Sequence, residues 1–121
     1  MTRIRPTRYY SNEQEKKIAK AVGCKQQSNS GATCFAKGDV ISDDFLIEAK
    51  TTTSEKKSFS IKRGWLEKNK EEAFAMNKHY NALCFDFGDG GDRYYVIDEK
   101  TFKLLKNYVE LDNYMEESNE T

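Results

Sequence analysis

Proline and histidine occur once each, as Pro6 and His79, and no stretch approaches the ~18 consecutive apolar residues of a membrane span. One histidine and three cysteines (Cys24, Cys34 and Cys84) without C-x-x-C spacing lack the ligand density of a zinc cluster. An odd cysteine count also gives no self-contained disulfide framework, so the thiols read as buried or idle in a reducing compartment. The opening Met-Thr-Arg-Ile-Arg has none of the apolar run of a signal peptide, which leads us to expect a cytoplasmic protein with no membrane association. Excess charge is missing as well, since 20 Lys and Arg balance 20 Asp and Glu. What remains is a 121-residue chain, 37% hydrophobic and 33% charged, with mean hydropathy −0.87. That is one domain's worth of sequence with a thin core.

The neutral total hides a division. Residues 1–78 carry 16 basic against 10 acidic side chains, and residues 79–121 carry 4 against 10. Basic residues gather in Arg3, Arg5, Arg8, Lys16, Lys17 and Lys20, then again in Lys56, Lys57, Lys62 and Arg63. Such asymmetry provides a basic face for a polyanion beside an acidic C-terminal part.

Residues 1–10, with the only proline and three arginines, read as an extended basic arm, 11–115 as the folded domain and 116–121 as a polar tail. Ser11 and Gln14 have capping-box spacing, and Glu15, Ile18, Ala19 and Val22 form one helical stripe that Gly23 can end. Residues 24–38 read as a loop or an irregular strand. Strands are expected over 39–41 and 45–52 around a turn at Ser42-Asp43-Asp44, with a short third strand near Phe59 and Ile61. A helix over 62–80 is expected to bury Trp65, Leu66, Ala73 and Met76. The run Gly88-Asp89-Gly90-Gly91-Asp92 separates two apolar strands as a hairpin turn, and Asp98 can cap a last helix around Phe102, Leu105 and Val109. The order α-β-β-β-α-β-β-α predicts a single α/β domain with a mixed central sheet flanked by helices.

Two features break the pattern of a plain core. Glu15 lies on the same stripe as Ile18, Ala19 and Val22, and burying a lone carboxylate costs several kcal/mol unless it meets a partner or cation. Glu48 and Lys50, two apart in a strand, leave the same face and interrupt the most apolar strand of the chain. A hairpin across Ser42–Asp44 brings Asp39 toward Glu48. Three carboxylates and an ammonium then converge on one sheet edge, an arrangement that needs a cation, and hard oxygen ligands suit Mg²⁺ or Mn²⁺. A metal so held can activate water and polarise a phosphoryl oxygen. Lys50 can orient the water, help deprotonate it, or stabilise charge developing at phosphorus.

Lys37-Gly38-Asp39-Val40 followed by Leu46-Ile47-Glu48-Ala49-Lys50-Thr51-Thr52 resembles the core motif of the PD-(D/E)xK nuclease superfamily. Ser30-Gly31-Ala32 is similar to the Ser-Gly-x segment of its archaeal-type and phage Holliday junction resolvase branch, and Glu15 matches the carboxylate on that branch's first helix. Ser58-Phe59, the Trp65-Leu66 helix and Phe85-Asp86-Phe87 follow the pattern of small phage resolvase-like proteins. The resemblance spans residues 11–98. It departs from the family in having Gly38 in place of the proline and Lys25, Gln26 and Gln27 where an arginine precedes Ser-Gly.

The resemblance implies a restriction-endonuclease-like fold and a homodimer that cuts branched DNA such as four-way junctions, in a bacterial or phage-infected host cell. It implies Asp39 and Glu48 as metal ligands, Glu15 as a further metal or water ligand, Lys50 as the catalytic lysine and Ser30 as a contact to the scissile phosphate. The expected DNA contacts are Arg3, Arg5, Arg8, Lys16, Lys37, Lys56, Lys57, Lys62 and Arg63. Two symmetric cuts require two active sites, so part of the aromatic set Trp65, Phe74, Tyr94, Tyr95 and Tyr108 is expected at an isologous interface. Alternative readings are a nicking or restriction-type nuclease of the same fold, a non-catalytic nucleic-acid-binding module, and a protein-interaction domain whose acidic part meets a basic partner. A binding module leaves Glu15, Asp39 and Glu48 unexplained, because acids in a phosphate-binding cleft without a metal oppose binding.

Overall fold

The computed structural model describes residues 7–23, 35–36 and 39–119. In chain order these form α1 (Thr7–Ala21), β1 (Phe35–Ala36), β2 (Asp39–Ile41), β3 (Phe45–Lys50), α2 (Arg63–Ala75), β4 (Tyr80–Phe85), β5 (Tyr94–Val96) and α3 (Glu99–Asn119). The strands make one open mixed sheet in sequence order, with the two-residue β1 added at the β2 edge. All neighbouring strands are antiparallel except β3 and β4, which are parallel because α2 carries the chain back between them.

The side-chain alternation of β3 sorts the two layers. Ile47 and Ala49 join Val40, Ala82 and Cys84 on one face, and α1 closes that face with Ile18 and Ala19. Residues of opposite parity, Leu46, Glu48 and Lys50, face α2 together with Leu83 and Asn81. The α1 side is aliphatic apart from the buried Gln14 and Glu15 of α1, whereas the α2 side mixes Leu46, Leu83 and Ala73 with the buried Asn69. Asn69 Oδ1 accepts a 2.7 Å hydrogen bond from Asn81 Nδ2, which locks the rotation of α2 on the sheet.

Several expectations are corrected. α1 begins at Thr7, not Ser11, so residues 7–10 belong to a helix and not to an extended arm. With Ser11 inside the helix, Gln14 is no capping-box partner. Its amide instead donates to the Lys50 carbonyl (3.1 Å) and accepts from Thr51 Oγ1 (2.5 Å), tying α1 to the end of β3. The third strand before α2 is β1, and residues 59–61 form no strand. Phe59 instead stacks on Phe85 with ring centroids 4.5 Å apart, so its apolar character serves packing and not a ladder.

Helix α2 stops at Ala75 because Asn77 adopts φ 58°, the left-handed conformation that asparagine tolerates. The amides of Asn77 and Lys78 then bond back to Phe74 O (3.1 Å) and Ala73 O (2.8 Å), and Tyr80 starts β4. The helix is turned so that Asn69 and Ala73 are buried while Leu66 and Met76 are exposed.

The β4–β5 hairpin and the cap of α3 match expectation: β4 and β5 pair antiparallel, and Asp98 Oδ1 accepts from the Thr101 amide at 2.8 Å. That bond, together with the Thr101 hydroxyl, holds the Asp98 carboxyl below its usual range. α3 continues to Asn119, so residues 116–119 are helical and not a tail.

Residues 51–62 link β3 to α2 and are clipped to the loop after β4. Thr52 Oγ1 donates to Asp86 (3.1 Å), and the Lys56 amide bonds Phe87 O at 2.8 Å. Gly88, at φ 77°, passes so near this segment that a Cβ would lie 2.3 Å from the Ser54 carbonyl oxygen.

Candidate functional site

The tight turn at 42–44 is closed by the Ser42 amide on Phe45 O (3.0 Å) and by the Phe45 amide on Ser42 Oγ (3.2 Å). This sets the register in which Asp39 stands directly opposite Glu48. Partners in a ladder leave the same face, so both carboxylates project toward α2. Lys50, two residues further, shares that face and places Nζ 3.2 Å from Glu48 Oε1. The same ammonium sits 4.1 Å from the centre of the half-buried Trp65 ring. A carboxylate on one side and an aromatic face on the other restrict the lysine without neutralising the whole acid group. Glu48 Oε2 is buried and has no hydrogen-bond partner among the described residues.

Asp39 is the most perturbed acid. Burial, then the charges of Glu72, Glu48 and Glu15, push its carboxyl up to about 6, with Lys68 opposing. Glu72 was not legible as a site residue from sequence, where it looks like part of the solvated Lys/Glu face of a helix. Lys68 lies 3.7 Å from Glu72, so α2 brings a charge pair to the rim of the Asp39–Glu48 pair.

The structure brings Asp39, Glu48 and Lys50 together as expected. Glu15 is fully buried and acts on Asp39 electrostatically, yet it comes from α1, the helix on the opposite face of the sheet. Asp39 and Glu48 come from the β2–β3 hairpin, and Glu15 acts on Asp39 from α1. Among the described residues, no group of three or more His, Cys, Asp or Glu side chains is arranged to hold a metal ion. What remains is an open two-carboxylate pair backed by a lysine.

Ser30, Arg3, Arg5 and Lys37 lie outside the described residues, and Arg8 falls in α1. Lys16 is exposed and pairs with Glu13 (3.4 Å) on the α1 surface. Lys56, Lys57, Lys62 and Arg63 line the exposed segment that leads from β3 into α2. Lys62 Nζ lies 5.6 Å from the same Trp65 ring that Lys50 covers, which puts Lys62 near the Lys50–Glu48 pair. Arg63 is largely taken up by Glu67 at 2.8 Å.

Of the cysteines, the described Cys84 is a buried core residue whose thiol burial pushes up to about 11, so it carries no nucleophile. His79 is exposed just before β4, 3.5 Å from Asp44, and far from any role as a base at the pair.

Neither a family model, nor a curated protein, nor a solved structure matches this chain.

Proposed function

We propose that this chain is a metal-dependent endodeoxyribonuclease that hydrolyses phosphodiester bonds in branched DNA, built on a restriction-endonuclease-like arrangement and working as a homodimer. The observation that carries the reading is the facing of Asp39 and Glu48 across a short hairpin, with Lys50 on the same face and a buried Glu48 oxygen that no donor among the described residues satisfies. The ion pair with Lys50 uses only Oε1 and leaves Oε2 for a hard cation.

Asp39 and Glu48 are the residues that would hold Mg²⁺ or Mn²⁺. Mg²⁺ is commonly held by only one or two carboxylates, with waters and substrate phosphates in its other positions, so an open pair fits it. Such an ion supplies an activated water and neutralises charge that builds on the phosphoryl group.

The protein's own contribution follows from its geometry. Trp65 and Glu48 hold the Lys50 ammonium in one place, from which it can donate to a non-bridging phosphate oxygen. Glu15 and Glu72 add negative charge behind Asp39 and so favour a cation between Asp39 and Glu48. Lys56, Lys57 and Lys62 offer phosphate contacts beside the pair, which position a backbone without reading sequence. In so small a chain, recognition of shape is easier to build than a base-reading surface.

The test is incubation with labelled four-way junction, duplex and single-stranded DNA, with Mg²⁺ and with EDTA. We expect Mg²⁺-dependent cleavage that favours the junction. Cleavage of plain duplex in preference to the junction points to the nicking or restriction-type alternative, and binding without cleavage in Mg²⁺ or Mn²⁺ overturns the enzymatic reading.

A further inference from the structure

The last helix has an apolar face that no other element of the described residues covers. α3 makes no substantial packing contact with another element, and only its first turns approach the body, where Lys100, Lys103 and Leu104 border a shallow cleft with Tyr80. Leu104, Tyr108, Leu111 and Met115 recur at i, i+4, i+7 and i+11, the spacing of a helix–helix seam, and are 49–73% exposed. Leu105 widens the stripe at 47% exposure.

The charges on α3 indicate what lies against this face. Its first half carries Lys100, Lys103 and Lys106 against Glu99, and its second half carries Glu110, Asp112, Glu116 and Glu117 with no cation. Lys106 pairs with Glu110 at 2.8 Å, but no basic residue of the last turn meets Asp112, Glu116, Glu117 or the negative end of the helix dipole. An antiparallel second copy brings lysines to that acidic half and does so twice by symmetry. A parallel copy sets acid against acid.

We infer that α3 pairs antiparallel with α3 of a second copy, Leu104 meeting Met115 and Tyr108 meeting Leu111 across the twofold axis. The helix is about 32 Å long, and pairing two such faces buries on the order of 600 Å² per chain, the lower end for a specific interface. The dissociation constant is therefore expected in the micromolar range. This deepens the expectation of a homodimer by assigning its surface and direction, and it is independent of the carboxylate pair.

Sedimentation velocity on the metal-free, DNA-free chain tests it at concentrations up to roughly 100 µM. We expect a monomer–dimer equilibrium that weakens several-fold between about 50 mM and about 500 mM salt, as screened opposite charges require. Leu111→Asp should give a monomer with unchanged Trp65 fluorescence, because Trp65 lies on α2 and α3 is not part of the core. Glu116→Lys with Glu117→Lys should also weaken the dimer without touching the apolar seam. A monomer at the highest concentration, a dimer that survives Leu111→Asp, or one that salt tightens would each overturn the inference. None of these outcomes bears on metal-dependent cleavage, so the two readings fail separately.

Discussion

The two faces of the sheet are made by alternate residues of the same strands, yet they have opposite character. On one, Ile47 and Ala49 of β3 lie under Ile18 and Ala19 with Val40, Ala82 and Cys84, and every member is aliphatic or small. On the other, Glu48 and Lys50 share space with Asp39, Trp65 and the Asn69–Asn81 pair. A period of two lets six residues of β3 serve both ends. Stability is concentrated on the α1 face, and this leaves the α2 face free to hold groups that repel one another. The core is correspondingly thin, since one side of the sheet supplies most of it.

The sharpest test of this division is Glu48→Gln. On the proposed chemistry it should lower junction cleavage by roughly 1,000-fold, or about 4 kcal/mol of transition-state stabilisation, while the melting temperature moves by only a few degrees. Single-turnover cleavage and thermal unfolding read the two quantities. Equal loss of both would mean that the α2 face is structural after all.

The converse substitution is Ile47→Ala, one residue away on the opposite face and 3% exposed in the native chain. Removing its side chain should cost about 2–5 kcal/mol of stability, through lost burial and the cavity left behind. Urea unfolding measures it. Cleavage per folded molecule should change by less than tenfold, and a larger loss would show that the faces are not separable.

The smallest effect expected is that of Asp39→Asn on stability, and its sign changes with pH. Asp39 has its folded pKa raised from 3.8 to about 6, so the folded state binds the extra proton and native stability falls as pH rises through that window. The full shift would correspond to roughly 3 kcal/mol, and partial exposure with solvent screening reduces it to about 1 kcal/mol. In metal-free buffer, Asp39→Asn should therefore raise the melting temperature by roughly 5 °C at pH 7.5 and by little at pH 4. A variant that is destabilised at pH 7.5 would show that Asp39 is held by favourable bonds and not by mutual repulsion.

The facing of Asp39 and Glu48 and the shared face of Glu48 and Lys50 were legible in the sequence, because a short turn and strand alternation are local rules. The Asp98 cap was legible for the same reason. Glu72 was not, since its place beside Asp39 depends on how α2 is rotated on the sheet. The buried Asn69 governs that rotation, whereas hydrophobicity alone favours Leu66 and Met76. Glu15 was legible as a buried acid but not as one approaching from the other layer, because periodicity says that a face is covered and not by what. The same limit applies to α3, whose apolar stripe predicts burial although the other described elements offer it no partner. Asn77 in the left-handed conformation ended α2 five residues early, and a lone asparagine in a polar helix gives no warning of it.

On the proposed function, the close approach of Gly88 to Ser54 bears on how the chain would measure along a DNA backbone. With the Thr52–Asp86 and Lys56–Phe87 bonds it makes the stretch after Lys50 a strap fastened at its middle and not a free tether. The backbone that carries Lys56 and Lys57 is thereby kept at a fixed offset from the end of β3, as graduations are from the zero of a ruler. Any side chain at position 88 would lift the strap from its fastening and blur that scale before it disturbed a single charged group.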